Sequence, residues 1–267
     1  MTSTVFSEVL APLRDDPQRG AVLLDIDGTL SPIVEYAAEA SVPEATRQML
    51  IAISRRYRIV ACVSGRRASE ARAMVAIGTI SYLGSHGAEL LRAGWTESVL
   101  DPSVEDWARR IHEFGRDADT ADLRRRRVRI EDKGAIVAFH WRGAPDEEAA
   151  RSAIDAIAAR AEAAGLRTHW GRKVLEVRPP VRIDKGAGIR TFLEDAGVEV
   201  ALYVGDDVTD LDAFRALVHL QIEGRIQRAI RVGVRSEDGP PEIASEADLV
   251  VDGTEGVQSL LAMLAAD

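Results

Sequence analysis

Residues 21–26, AVLLDI, lack the polar–apolar alternation of a strand with one wet face: the run is apolar on both sides until Asp25. Such a strand has to be covered on both faces, the setting of a parallel sheet between helical layers. The same pattern returns along the chain. YRIVACV (57–63) follows a helical stretch, PEATRQMLIAISRRY (43–57), in which Met49, Leu50, Ile53 and Tyr57 recur at helical spacing behind Pro43. Late in the sequence VEVALYVG (198–205), DLDAFRAL (210–217), IRVGV (230–234), DLVV (248–251) and a helix over 254–265 repeat the alternation. The fold class is α/β, with a Rossmann-like, doubly wound parallel sheet.

The middle of the chain follows another pattern. A helix over 104–119 precedes RVRIEDKG and GAIVAFHWR (134–142), which read as a hairpin turning at Lys133-Gly134. A second helix over 145–165 stops at Gly165, and LRTHW and KVLEVRP form another strand pair. Helix, two strands, helix, two strands describe an antiparallel α+β unit inserted into the parallel domain. Prolines at Asp101-Pro102 and Pro179-Pro180 mark its ends. The expected division is a core of 1–102 and 181–267 around an insert of 103–180.

The formal net charge of -9 argues against a general nucleic-acid binder but leaves room for a local anion pocket. The single cysteine, Cys62, can form neither an internal disulfide nor a cysteine zinc site, which fits a reducing compartment. Residues 1–20 show no signal-peptide pattern, and no run is long and apolar enough to cross a membrane. A cytoplasmic protein that binds neither membrane nor nucleic acid is the expectation.

Ligands of open α/β sheets bind beyond the carboxyl ends of the strands. At that edge the sequence places Asp25 and Asp27 after the first strand, Ser64, Gly65 and Arg66 after the second, and Asp206, Asp207 and Asp210 after a late one. Lys185 opens a helix just past the insert. So many carboxylates with one lysine call for a cation, and an oxygen-only set suits Mg²⁺. Ser64, turn N–H groups and Lys185 can grip a phosphoryl group. One carboxylate can then act as nucleophile, while a second two residues on protonates the leaving oxygen and later activates water. Thr29 is placed to hydrogen-bond Asp27 or the phosphate. Each position has a plainer reading: Asp-Gly is a common turn pair, and Ser64 can simply cap a helix beginning near Arg67.

Taken in order, DIDGT, SGR, DKG and GDDVTD resemble the four motifs of the haloacid dehalogenase (HAD) superfamily of phosphatases. The resemblance implies Asp25 as nucleophile, Asp27 as acid and base, and Ser64 and Lys185 on the phosphate. It implies Mg²⁺ held by Asp25, the backbone carbonyl of Asp27 and Asp206, with Asp207 and Asp210 as supporting acids. The insert between the second and third motifs then corresponds to a C2-type cap that closes over the site. RIEDKGAIVAFHWR, GRKVLEVRPP, GSHGAEL (84–90) and GDDVTDLDAF (205–214) further resemble the trehalose-6-phosphate phosphatases. That likeness implies Glu131, Lys133 and Glu176 as residues reading the sugar, with Arg66, His86 and Glu89 approaching substrate from the core. It also implies functional coupling to a trehalose-6-phosphate synthase.

His112, His140, His169 and His219 are read as packing or surface residues, since no pair has zinc spacing. Arg124–Arg127, an unbroken basic run without counterpart in the family, is read as a solvated face. Two alternatives stay open: the same chemistry on another sugar phosphate, such as a mannosyl- or glucosyl-phosphoglycerate, and a catalytically silent sugar-phosphate sensor.

Overall fold

All five residues of β1 (Gly20–Leu24) are buried, as its two-sided apolarity requires. A computed structural model describes residues 2–33, 40–181, 183–236 and 239–266. The chain divides into two compact units, Met1–Val99 with Asp184–Asp267, and Leu100–Ile183. The first break falls just before the expected proline, where Asp101 already caps the helix that Pro102 begins, accepting from the Ser103 N–H at 2.8 Å; the second falls after Ile183, past Pro180.

In unit 1, β1 is flanked in parallel by β2 (Ile59–Val63) and β10 (Val200–Gly205). The sheet continues in parallel through β3 (Ser81–Gly84) on one side, and through β11 (Arg228–Arg235) and β12 (Leu249–Asp252) on the other. Antiparallel β4 (Glu89–Leu91) and then β5 (Val99–Leu100) complete the β3 side. Successive side chains serve opposite layers. Val22 and Leu24 pack with α1 (Thr2–Asp15), α2 (Glu44–Arg56), α3 (Ala68–Val75) and α10 (Gly253–Ala265) through Leu10, Leu50, Val75 and Leu261. Ala21 and Leu23 pack with α7 (Lys185–Leu193), α8 (Val208–Ile222) and α9 (Pro241–Glu246) through Ile189, Phe214 and Ile243. Every fully buried Val or Leu in these layers contributes about 1.5–3 kcal/mol.

α1 has no counterpart among the expected elements. Leu10 and Leu13 carry its buried stripe, but Pro12 stands inside the helix on the exposed side and disguises the helical pattern.

Unit 2 is a two-layer α+β unit. β6 (Arg129–Asp132), β7 (Val137–His140), β9 (Val174–Arg178) and β8 (Arg167–Gly171) lie antiparallel in that order. Val137, Phe139, Leu175 and Val177 bury one face against α4 (Pro102–Ala118) and α6 (Glu147–Ala163). The opposite face carries Glu131, Ala138, Glu176 and His169 in one cross-strand row. The strand read in RVRIEDKG is shorter than expected at both ends. A short helix, α5 (Ala121–Arg125), precedes it and closes with Arg127 in the left-handed region (φ 55°) and a Val128 N–H to Leu123 C=O bond of 3.0 Å. At the other end the strand stops at Asp132, whose carboxylate accepts the Gly134 N–H at 2.7 Å and shapes the turn.

Candidate active site

Because β1, β2 and β10 run parallel, Asp25, Ser64 and Asp206 leave their ends at one edge of the unit 1 sheet. Lys185, first residue of α7, enters there, directed by the Asp184 cap on the Ala187 N–H at 2.8 Å. Its ammonium lies 2.6 Å from both Asp25 Oδ1 and Asp210 Oδ1, and all three groups are buried. Burial opposes the lysine charge, but Asp210 and Asp25 outweigh it and hold the ammonium above its ordinary pKa. Burial also raises the Asp25 carboxyl well above the carboxylate range, in spite of Lys185. Burial, reinforced by Asp210, pushes Asp206 up to about 7.

Asp210 is saturated. Its Oδ1 accepts from Lys185 and from the Tyr203 hydroxyl at 2.6 Å, and its Oδ2 accepts from the Asp206 and Asp207 N–H groups at 2.9 Å each. It therefore fixes the lysine and the GDD turn and keeps no oxygen for a ligand. Asp25 Oδ2 and Asp206 Oδ2, by contrast, carry no hydrogen bond among the described residues.

Ligand atoms of Asp25, Asp206 and Asp210 all lie within 4.8 Å of one another. With Lys185 as the one cation of this cluster, its three carboxylates, once ionised, carry two negative charges in excess. That balance and the all-oxygen donor set fit a divalent hard cation. Asp207 stands apart: it is exposed, and its carboxylate accepts the Val208 N–H at 2.7 Å as the cap of α8. Its expected supporting role at the metal gives way to that of a helix cap.

Thr29 also departs from expectation. Of its two expected partners, Asp27 and the phosphate, the first is not the one found: its hydroxyl donates to Asp206 Oδ1 at 3.1 Å. Gly28, at φ 92°, is required for the same approach, since a Cβ there would lie 2.1 Å from Asp206 Oδ2. Asp27 is instead gripped by Arg66, whose Nε and Nη2 lie 2.8 and 2.6 Å from its two oxygens. Arg66 was expected on substrate; here it orients the second aspartate.

Ser64 is buried, its Oγ accepting the Arg66 N–H at 3.1 Å. The loop after β3 braces it. Ser85, His86 and Gly87 occupy the left-handed region consecutively, at φ 50°, 56° and 93°. Ser85 N–H bonds Arg66 C=O at 2.7 Å, and His86 N–H bonds Ser64 C=O at 3.0 Å. The His86 ring lies over Gly65, where a Cβ would come within 2.8 Å of it, and Gly87 packs against Gly188 of α7, where a Cβ would come within 2.5 Å of the Gly87 Cα. One strained turn thus ties the Ser64 loop to the helix that carries Lys185. Glu89 has a different task from the one expected. It is buried, with one oxygen accepting the Ala68 N–H at 2.8 Å and the other the Ser98 hydroxyl, so it anchors the start of α3.

In unit 2, Lys133 Nζ lies 3.0 Å from Glu176 Oε1, and Arg178 Nε lies 3.0 Å from Glu176 Oε2. Burial alone would raise Glu176, but Lys133 and Arg178 overcome it and hold the carboxyl at about 2. Glu131 pairs with His140 at 2.7 Å, which lowers its pKa against a smaller effect of burial. His140, read as packing or surface, thus shares the polar face, two residues along β7 from Ala138 of the cross-strand row. Sequence reasoning missed Tyr203 and the Gly87–Gly188 contact; Tyr203 sits in an apolar strand and shows no polar signal of its own.

Against known proteins, the trehalose-phosphatase family model matches residues 23–255. A probable trehalose-phosphate phosphatase of Sinorhizobium fredii is 31% identical over 274 residues, covering 97% of this chain and 92% of its own. A Mycobacterium tuberculosis protein described as an uncharacterized glycosyl hydrolase is 33% identical over 212 residues; the match covers 75% of this chain and 15% of that much longer protein. Among solved structures, the C-terminal domain of C. albicans trehalose-6-phosphate phosphatase shares the fold, with a TM-score of 0.73 at 20% identity over 97% of this chain and 96% of that one.

Proposed function

The chain belongs to the trehalose-phosphatase family, and on that premise we propose that it hydrolyses trehalose 6-phosphate to trehalose and phosphate, using unit 1 for chemistry and unit 2 for sugar recognition. The observation that carries this reading is the buried Asp25–Lys185–Asp210 cluster with Asp206, at the carboxyl edge of the sheet. Mg²⁺, held by Asp25, Asp206 and the Asp27 carbonyl, would neutralise the charge of the phosphoryl group.

Asp25 Oδ2, the oxygen not engaged by Lys185, attacks phosphorus, and the bond to the sugar oxygen breaks. Lys185 and the Ser64 hydroxyl hold phosphoryl oxygens in line. Asp27, oriented by Arg66, gives its proton to the departing sugar oxygen and then takes one from the water that cleaves the aspartyl-phosphate. Glu131, Lys133 and Glu176, fixed by His140 and Arg178, present donors and acceptors to sugar hydroxyls. Coupling to a trehalose-6-phosphate synthase and a cytoplasmic location belong to the same proposal; among the described residues no helix is long and apolar enough to cross a membrane.

Phosphate release from trehalose 6-phosphate should exceed that from glucose 6-phosphate and from glucosyl-phosphoglycerate by at least ~100-fold in kcat/KM. Equal rates on the three would remove the substrate assignment. Asp25→Asn should abolish turnover with the circular dichroism spectrum unchanged, and retained activity would exclude Asp25 as nucleophile.

A further inference from the structure

A cavity of about 670 Å³ opens at the edge of the unit 1 sheet opposite the carboxylates, where Ile59 begins β2 and Ser81 begins β3. Arg55, Arg58 and Arg92 line it, and Phe192 from the last turn of α7 forms part of its wall. The Arg92 guanidinium carbon stands 6.0 Å from the centre of the Phe192 ring, and the Arg58 Nε donates to Ala196 C=O. Arg55 has no ion pair among the described residues.

The carboxylates on the wall are Glu194 and Asp195, and Glu194 also lies 3.8 Å from Arg225. On a chain with a formal charge of -9, this is a place where positive groups outnumber negative ones. Guanidinium forks match phosphoryl oxygens, and the volume exceeds what inorganic phosphate alone fills. The one cluster of potential metal ligands among the described residues lies at the other edge of the sheet, so nothing here equips the cavity for hydrolysis.

We propose that this cavity is a second, metal-independent binding site for a phosphorylated small molecule, which it holds without turning over. β2 and α7, whose opposite ends carry Ser64 and Lys185, both reach it.

Calorimetric titration of the full chain in excess chelator tests this, with inorganic phosphate in one arm and glucose 6-phosphate in the other. Chelator removes the divalent cation with which the proposed catalytic site would hold a phosphoryl group, and Ser64→Ala reports any binding left at that edge, so the two sites separate. One equivalent should bind, weakened roughly tenfold or more by Arg92→Gln or Arg55→Gln, each of which removes a charge-assisted bond, and unaffected by Ser64→Ala. Tighter binding of glucose 6-phosphate would assign the site to organic phosphates, and equal binding to the phosphoryl group itself; both support the site. Arg55 is exposed at the end of α2, so its replacement leaves the fold intact. Absence of binding in both arms overturns the proposal, as does binding lost in Ser64→Ala and untouched by the arginine variants. Phosphatase activity, measured separately with Mg²⁺, should be unchanged in Arg55→Gln and Arg92→Gln and reports on the proposed function independently.

Discussion

Each unit holds a lysine against carboxylates, and the two arrangements balance charge in opposite directions. In unit 1, Lys185 faces Asp25 and Asp210 with Asp206 beside them, so acid is in excess and burial raises Asp25 and Asp206. In unit 2, Glu176 faces both Lys133 and Arg178, so base is in excess and the carboxyl stays ionised to about pH 2. Under the proposed function, the first arrangement would be completed by a divalent cation and an anionic phosphate. The second is already compensated and offers fixed hydrogen-bonding groups, which suits neutral hydroxyls. The same residue types thus serve two purposes, set by the local count of charges.

Removing Lys185 should break the first balance most severely. Lys185→Met leaves three neighbouring buried carboxylates without a cation. Turnover should fall by ~10³-fold or more, and stability in chelator should drop by ~3–5 kcal/mol, partly recovered on adding Mg²⁺. Urea unfolding with and without the metal measures this. A variant as stable as the parent in chelator would show that the excess negative charge is not felt.

The second balance predicts a pH dependence. The folded-state pKa of Glu176 is depressed to about 2 from 4.5. Its contribution, about 3 kcal/mol, is therefore complete above pH ~4.5 and lost as pH falls towards ~2. Trp107, Trp141 and Trp170, three of the four tryptophans, lie in unit 2, so fluorescence-monitored unfolding follows it. Glu176→Gln should flatten that acid limb and raise KM for trehalose 6-phosphate by ~10–100-fold with kcat little changed. An equal fall in kcat would place Glu176 in the chemical step instead.

Gly188→Ala asks how tightly the unit 1 cluster depends on its brace. The new methyl would meet the Gly87 backbone at 2.5 Å, and the turn it presses on also holds the Ser64 loop. A loss of ~1–3 kcal/mol is expected, with kcat reduced about tenfold by displacement of the phosphate-gripping groups. Unchanged kcat in a destabilised protein would make the turn a matter of folding alone.

What the sequence disclosed, and what it concealed, follows from the range of each signal. β1, β2 and β10 were legible because two-sided apolar runs have few other uses, and Asp25, Ser64, Asp206 and Lys185 were legible because they lie where such elements end or begin. Tyr203 was not: as one residue of an apolar strand it looks like core, and its hydroxyl has a purpose only once α8 brings Asp210 to it. Glu89 was misread for the same reason, since its partners at Ala68 and Ser98 meet it only in the folded chain. Thr29 reads from sequence as a partner of Asp27 or of the phosphate, whereas parallel pairing of β1 with β10 delivers Asp206 to it. Local signals found the elements and the edge, and long-range pairing decided the partners.

The smallest expected effect concerns the basic run in unit 2. Arg124 forks Asp119 at 2.8 and 2.6 Å, while Arg125 and Arg126 reach Asp122 at 3.3 and 2.7 Å. These pairs are exposed or, for Arg126–Asp122, half-buried, and bring their own counterions, so they differ in kind from both lysine clusters. Replacing Arg124, Arg125 and Arg126 together by glutamine should leave kcat and KM for trehalose 6-phosphate unchanged within error, at both low and high salt. A KM that rises, and rises more at low ionic strength, would show the run steering an anionic substrate. Unit 2 would then contribute charge as well as hydrogen bonds, and the contrast with unit 1 would narrow to the buried residues alone.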